Sequence, residues 1–406
     1  MFPHVQMHHL PPNRSERIKE FIQNDADRDL KVVVFDRFFA EEAYSFHFYN
    51  ERPDVLRVLD MQDMHSLRYH RQNMVQTMDA NIDMNGNGVV GLDCFQDTQL
   101  LNTFPMVQGG KHGTISGKDP SLTLLRELAA IHRSDLTLVC SPFEMALLTD
   151  EYGINPEKLV LAPFFTEAIE SYHQTEMDER RDFVVIGGFK HPPNIDQVML
   201  LKRDIWPKIR ATCSLPDAKL HIYGAYPPPR IQQLHDERNG FLVHGHIKDL
   251  DVPLGQARVL FAPLRYGAGI KGKIVDAWRY GCPVVTTPIG SEGIEIPTSK
   301  HSNTREWGGI ISSDNDSFVK SAVQLYSDKT RWSQSQSRAR VMLKELFDAE
   351  KNLHIVNDSI VTALKEIDSR RQRDYSAAML WHNSARSTEY FSRWIELKEG
   401  LSNDSK

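Results

Sequence analysis

The chain's chemistry-bearing residues crowd into one stretch, APLRYGAGIKGKIVDAWRYGCPVVTT, spanning residues 262–287. An apolar strand-like run ends, Gly267, Ala268 and Gly269 let the backbone turn tightly, and a helical pattern begins near Lys273. Free amide N–H groups and the positive end of the helix dipole then point at one place, which suits an anion. Arg265, Lys271 and Lys273 bring cations to the same turn, and a charge-assisted hydrogen bond from such a group contributes on the order of 1.5–3 kcal/mol. A diphosphate is the expected occupant. Asp276 follows Lys273 by one helical turn, where a carboxylate can accept the two hydroxyls of a ribose or, alternatively, pair with Lys273 or Arg279. Gly281 is placed to end the helix in the left-handed conformation, with Pro283 preventing its return.

A second group lies at residues 59–71, LDMQDMHSLRYHR, where a strand-like run gives way to a helix. Strand C-termini line the crevice of α/β sheets, so Asp63 and His65 are expected to face a ligand, Asp63 and His65 being the candidate catalytic pair. The alternative is that Asp60 and Asp63 cap the helix and pair with Arg68 and Arg71. His191 and Asn194, near Gly188 in IGGFKHPPN, are candidates to border the diphosphate.

The elements that position these groups read as α/β. Short β-branched runs (32–35, 55–59, 136–140, 159–161, then 183–186, 220–223, 241–243, 259–262 and 284–287) alternate with helical-period segments. Ser141, Pro142 and Glu144 form an N-terminal helix signature of N-cap, first-turn proline and capping-box acid. Helices are expected at about 194–209, 230–237 and 273–280, and throughout the chain after residue 318. The polar, acidic stretch 166–181 reads as an interdomain linker. Three parts are therefore expected: residues 1–178, 179–345 and 346–406, the last being helices that return to the first part. Residues 79–120, rich in Gly, Asn and Asp, read as an insertion or mobile loop. Within it Asp83, Asn85, Asn87 and Gly88 match half of a calcium loop, but Cys94 stands where the bidentate carboxylate belongs, so a solvated turn is expected instead.

Composition sets outer bounds. The chain has 406 residues, 40% hydrophobic and 25% charged, with 48 Lys and Arg against 54 Asp and Glu, a formal charge of −6. That is globular usage without the basic excess that drives binding to nucleic acid. The four cysteines (94, 140, 213 and 282) show no CxxC spacing and mostly sit in apolar runs, which fits a reducing compartment and the cytoplasm. No run approaches a membrane-spanning length and the N-terminus lacks a secretory signal's apolar core.

The string GAGIKGKIVDAWRYGCPVVTTPIGSEGI resembles the donor-binding signature of the group 1 glycosyltransferases, the retaining GT-B family often called family 4. VIGGFKHPPN (185–194) is similar to the family's first donor-domain turn, LHIYG (220–224) to its third strand, residues 130–144 to the end of its acceptor domain, and residues 386–396 to a tail found in some members. The resemblance implies two Rossmann-like, doubly wound domains plus C-terminal helices, and retaining, metal-independent sugar transfer from a nucleotide diphosphate sugar to a hydroxyl of a glycan, lipid or other acceptor. The nucleotide sugar is a substrate, and no cofactor is implied. It further implies that Arg265, Gly267, Gly269, Lys271, Lys273, Asp276, Gly188, His191, Asn194 and Glu292 bind the donor. Asp276 takes the second acidic position of the family's Glu-x7-Glu motif, while the first falls on Ala268. A nucleotide-sugar-binding protein without turnover, or a sugar-nucleotide epimerase, are the competing readings. The family's first strand and glycine-rich loop have no counterpart in the first thirty or so residues, so an abbreviated first domain with an uncovered strand near residue 32 is expected.

Overall fold

The computed structural model describes residues 5–24, 30–83, 89–96, 99–106, 119–166, 175–212, 215, 217–296, 307–382 and 386–403. Contacts divide the chain into two units: Met1–Gln62, Thr123–Ala162 and His354–Lys406 form one, and Asp63–Leu122 with Pro163–Leu353 form the other.

The first unit holds a four-stranded parallel sheet in the order β1 (Val32–Asp36), β2 (Leu56–Asp60), β3 (Leu136–Val139), β4 (Leu159–Leu161). Parallel strands covered on both faces are apolar throughout, and Leu56, Val58 and Leu59 are fully buried. Val356 and Ala363, from the helix Ala349–Lys365, pack with Leu56, Val58 and Leu136. β1 is the edge strand, and Val34 is 54% exposed. The N-terminal segment, in which no counterpart of the family's first strand was found above, forms the helix Ser15–Asn24, and Ile18 and Ile22, spaced one turn apart, are buried.

The second unit holds a six-stranded parallel sheet in the order β10-β9-β8-β5-β6-β7, with β5 at Arg181–Ile186, β6 at Leu220–Tyr223, β7 at Phe241–Gly245, β8 at Ala257–Ala262, β9 at Val284–Thr286 and β10 at Gly309–Ile311. β10 escaped the sequence reading because three residues of GII carry no periodicity. Phe183 of β5 and Phe261 of β8 stack with ring centroids 4.5 Å apart, both fully buried, and each such ring contributes roughly 1.5–3 kcal/mol. The expected helix at 230–237 shrinks to Pro229–Gln232.

Two organisational expectations change. The boundary near residue 178 does not coincide with the contact division, because residues 63–122 group with the second unit. The reason is burial: Val75, Leu92, Cys94, Phe95 and Leu100 join the core that contains Phe183 and Phe261. Residues 79–120, expected as an insertion or mobile loop, contribute to the core where described, since Gly91–Phe95 and Gln99–Asn102 are short helices that feed it. Asn85, Asn87 and Gly88 lie outside the described residues. So do 167–174 of the expected linker, whereas Met177 is buried and Arg181 already begins β5.

Candidate functional site

Two strand-to-helix turns and one helix start, all in the second unit, build the site. β5 runs out at Gly187, whose φ of +152° and whose Cβ position only 2.6 Å from the Asn194 side chain require glycine. Beside it the Cβ position of Gly188 meets nothing within 4 Å, so the turn is open there. His191 is the N-cap residue of the helix Pro192–Leu200, with proline in its first turn. Asn194, in that same turn, donates from Nδ2 to the Gly188 carbonyl at 2.8 Å.

The second turn follows β8. Gly269 takes φ +63°, and a Cβ on Gly267 would press on Lys271 Cε at 3.3 Å. The helix Gly272–Arg279 begins at Lys271, which supplies no side-chain cap to its amides; its Nζ donates instead to the Gly269 carbonyl at 2.6 Å. Gly281 ends the helix at φ +65°, with the Cys282 amide donating to the Ala277 carbonyl at 2.8 Å.

Lys273 joins the turns. Its Nζ donates to Asn194 Oδ1 at 2.6 Å and to Gln197 Oε1 at 3.2 Å. Both acceptors are neutral amides. Burial first, and the neighbouring Lys271 charge second, push the Lys273 ammonium down to about 7. A buried cation held by neutral groups gains by receiving an anion.

Arg265 behaves differently. It is 6% exposed and gives its fork to two carboxylates, Asp196 at 2.5 and 2.9 Å and Asp79 at 2.7 and 2.9 Å. Those bonds hold the helix His65–Asp83 to the sheet and occupy the donors that a diphosphate would need. Glu292 is likewise engaged: Arg71, fully buried, clasps both its oxygens at 2.7 and 2.8 Å and donates to the Gly267 carbonyl at 3.0 Å. Arg265 and Glu292, both expected to bind the donor, are engaged here in ion pairs that shape the turn.

Asp63, His65 and His191 come together. His65 Nε2 lies 3.3 Å from Asp63 Oδ1, and Arg68 pairs with the other Asp63 oxygen. Burial alone would raise the Asp63 carboxyl, but the His65 hydrogen bond and the Arg68 charge prevail and hold it at about 2. Such a carboxylate is a poor proton acceptor near neutrality. It orients His65 instead. The pairing with Arg68 is the one expected if Asp63 were merely structural, whereas Arg71 goes to Glu292 and not to Asp60 or Asp63. The His191 imidazole, although part of its surface is open, is held low at about 4 by desolvation first and the Arg68 charge next.

Asp276 is half-buried at 36% side-chain exposure and meets Arg279 only at 3.7 Å. Burial raises its carboxyl against the pull of Arg279. Lys273 does not pair with it, so its oxygens have one distant partner among the described residues. Ala268, in the first acidic position of the motif, is 9% exposed and adds no charge.

The structure thus brings Gly188, His191, Asn194, Gln197 and Lys273 together, with Asp63 and His65 close enough to act on His191 electrostatically. Gln197, Asp79 and Asp196 were not singled out from sequence. The only local signal for Gln197 is its place one turn after Asn194 on the same helix face; Asp79 lies 186 residues from Arg265 and carries no local signal.

Residues 180–328 match the family described as Glycosyl transferases group 1. No curated protein matches the chain by sequence. Among solved structures the chain is similar in fold to TarM, with TM-score 0.57 and 11% identity over 84% of this chain and 57% of that one. It is also similar to Anabaena HepE in a crystal structure with UDP and glucose, with TM-score 0.54 and 12% identity over 85% of this chain and 80% of that one. A third is the pneumococcal O-GlcNAc transferase GtfA with UDP and GlcNAc, with TM-score 0.52 and 13% identity over 86% of this chain and 60% of that one. The chain spans less than two thirds of the length of TarM and GtfA. Two parallel sheets flanked by helices make this a GT-B fold protein, and its residues 180–328, which carry the glycine-rich turn and Lys273, match the group 1 glycosyltransferase family.

Proposed function

We propose that the chain transfers a sugar from a nucleotide diphosphate sugar to a hydroxyl acceptor, a glycan or lipid among them, with retention and without a divalent metal. The observation that carries this reading is Lys273, a part-buried amine facing neutral amides beside a helix N-terminus without a side-chain cap. Such a group stabilises the departing diphosphate while requiring little reorganisation. Lys271, at the same helix start, adds a second positive charge, and Asp276 is available for ribose hydroxyls. As the bond from the sugar carbon to the diphosphate breaks, the acceptor oxygen bonds that carbon from the same face and its proton passes to a departing phosphate oxygen. Asp63, held near 2, is unsuited to take that proton, which favours transfer to the leaving group. The UDP held by HepE and GtfA supports UDP as the first nucleotide to try. A cytosolic setting accords with Cys94, Cys140 and Cys282 being free thiols.

A second reading, binding without turnover, is favoured by Ala268, which leaves the first acidic position of the motif without a carboxylate. A panel of nucleotide sugars, read by thermal shift and by released nucleotide, separates the two: stabilisation with release supports transfer, and stabilisation without release supports binding alone. Transfer is expected to survive EDTA. Activity lost to chelator and restored by manganese overturns the lysine-based account.

A further inference from the structure

A cavity of about 710 Å³ opens in the first unit, at the N-terminal edge of its sheet. Its walls include Arg57 near the start of β2, Asp135 just before β3 and Lys158 just before β4. Ligands of parallel α/β sheets bind at the opposite, C-terminal edge, so this cavity is not part of that general arrangement. Its size is in the range of small-molecule sites.

Six cations and three carboxylates line it. Arg133 is neutralised by the buried Glu41 at 2.5 and 2.9 Å, and Lys158 pairs with Asp374. Arg371 holds both oxygens of Asp135, at 2.6 and 2.8 Å, and also donates to the Pro53 and Val55 carbonyls. Arg57 is left with the far side of the same carboxylate, at 3.4 and 3.5 Å. One acid thus serves two guanidinium groups. Arg57 is 5% exposed, and its fork lies 4.9 Å from the Trp381 ring centroid and 5.5 Å from that of Tyr49, two rings stacked on each other at 4.3 Å. Its Nη1 has no hydrogen-bond acceptor among the described residues. At the rim, Arg373 donates Nε to the Ser369 carbonyl and meets no acid among the described residues.

Ring faces attract a cation but accept none of its directional hydrogen bonds as an oxyanion does. A buried guanidinium with idle donors, beside a second one that shares its only counter-charge, calls for an anion. A carboxylate offers two oxygens, whereas a phosphate presents three or more around a tetrahedron and can serve Arg57 and Arg373 together. We propose that this cavity binds a soluble phosphate, either inorganic phosphate or a small phosphate monoester, through Arg57 and Arg373.

The test uses the full chain carrying Lys273→Ala, so that the donor turn does not contribute. Calorimetry with inorganic phosphate and, separately, with glucose 6-phosphate is run at matched ionic strength against chloride. Saturable binding of either probe is expected, weakened roughly tenfold or more by Arg57→Gln and by Arg373→Gln. The preferred probe tells free phosphate from monoester. Arg373 is exposed, so its variant reads out binding even if Arg57→Gln folds poorly. Lack of binding by both probes, equal displacement by chloride, or affinities unchanged by Arg373→Gln overturns the proposal.

Discussion

Arg265 and Lys273 stand at the two ends of one turn and carry the same formal charge, the first buried and the second part-buried, yet their surroundings are opposite. Arg265 faces the carboxylates of Asp79 and Asp196; Lys273 faces the amides of Asn194 and Gln197. The first end is electrostatically closed and supports structure. The second has only neutral amide acceptors for its amine. A cation's place in a motif therefore says less than the company it keeps.

The largest effect expected from this contrast is on stability. Arg265→Ala leaves Asp79 and Asp196 without their counter-charge, both with side chains less than a fifth exposed, and is expected to cost about 3–5 kcal/mol in urea unfolding. Lys273→Met, by contrast, is expected to leave unfolding unchanged or shift it upward. If Arg265→Ala is as stable as the wild type and has lost nucleotide binding, the two ends have been assigned the wrong way round.

Next in size is ligand affinity. Lys273→Met is expected to weaken UDP binding by about 1.5–3 kcal/mol, roughly ten- to a hundredfold. The charge also carries a pH signature. With its folded value near 7 and below that of an ordinary lysine, Lys273 binds fewer protons folded than unfolded above that pH. Stability of the free protein should therefore gain from this group as pH rises from about 7 toward the ordinary lysine value. Binding of UDP should show the reverse trend, weakening as pH rises through 7 and taking up protons there. Calorimetry in buffers of different ionisation enthalpy measures that uptake, and Lys273→Arg, always charged, should abolish it. A pH-independent wild-type affinity means that the ligand does not meet this lysine.

The smallest effect sharpens the same comparison at the next helical turn. Asp276→Asn is expected to change stability by no more than about 0.5 kcal/mol, because the contact with Arg279 is long and partly exposed. It should lower UDP affinity by about 1 kcal/mol, the worth of a hydrogen bond to a ribose hydroxyl. Ribose-free pyrophosphate should bind both forms alike. Equal losses for UDP and pyrophosphate would place Asp276 near the phosphates instead.

Legibility in the sequence followed the range of the interactions. The glycine turn, the helix stop at Gly281 and the Ser141 cap depend on neighbours a few residues away; each recurs in the structure, with the Ser141 side chain accepting from the Glu144 amide at 3.4 Å. Asn194 and Lys273 were each recognisable as polar residues at helix starts, but their meeting across 79 residues was not. The short helices within 79–120 were obscured by their Gly, Asn and Asp content, since composition reports local freedom and not the core into which Leu92 and Leu100 fold.

Taken alone, the sequence determined the α/β class, the strand-to-helix turns and the turn on which Lys273 sits, because periodicity and backbone preference act within a few residues. Tertiary structure decided which charges are spent: Arg265 on Asp79 and Asp196, Arg71 on Glu292, and Lys273 on neutral amides. The physical reason is that the energy of a buried charge depends on whatever lies within a few ångströms of it, and for Arg265 and Arg71 those neighbours stand 69 to 221 residues away along the chain.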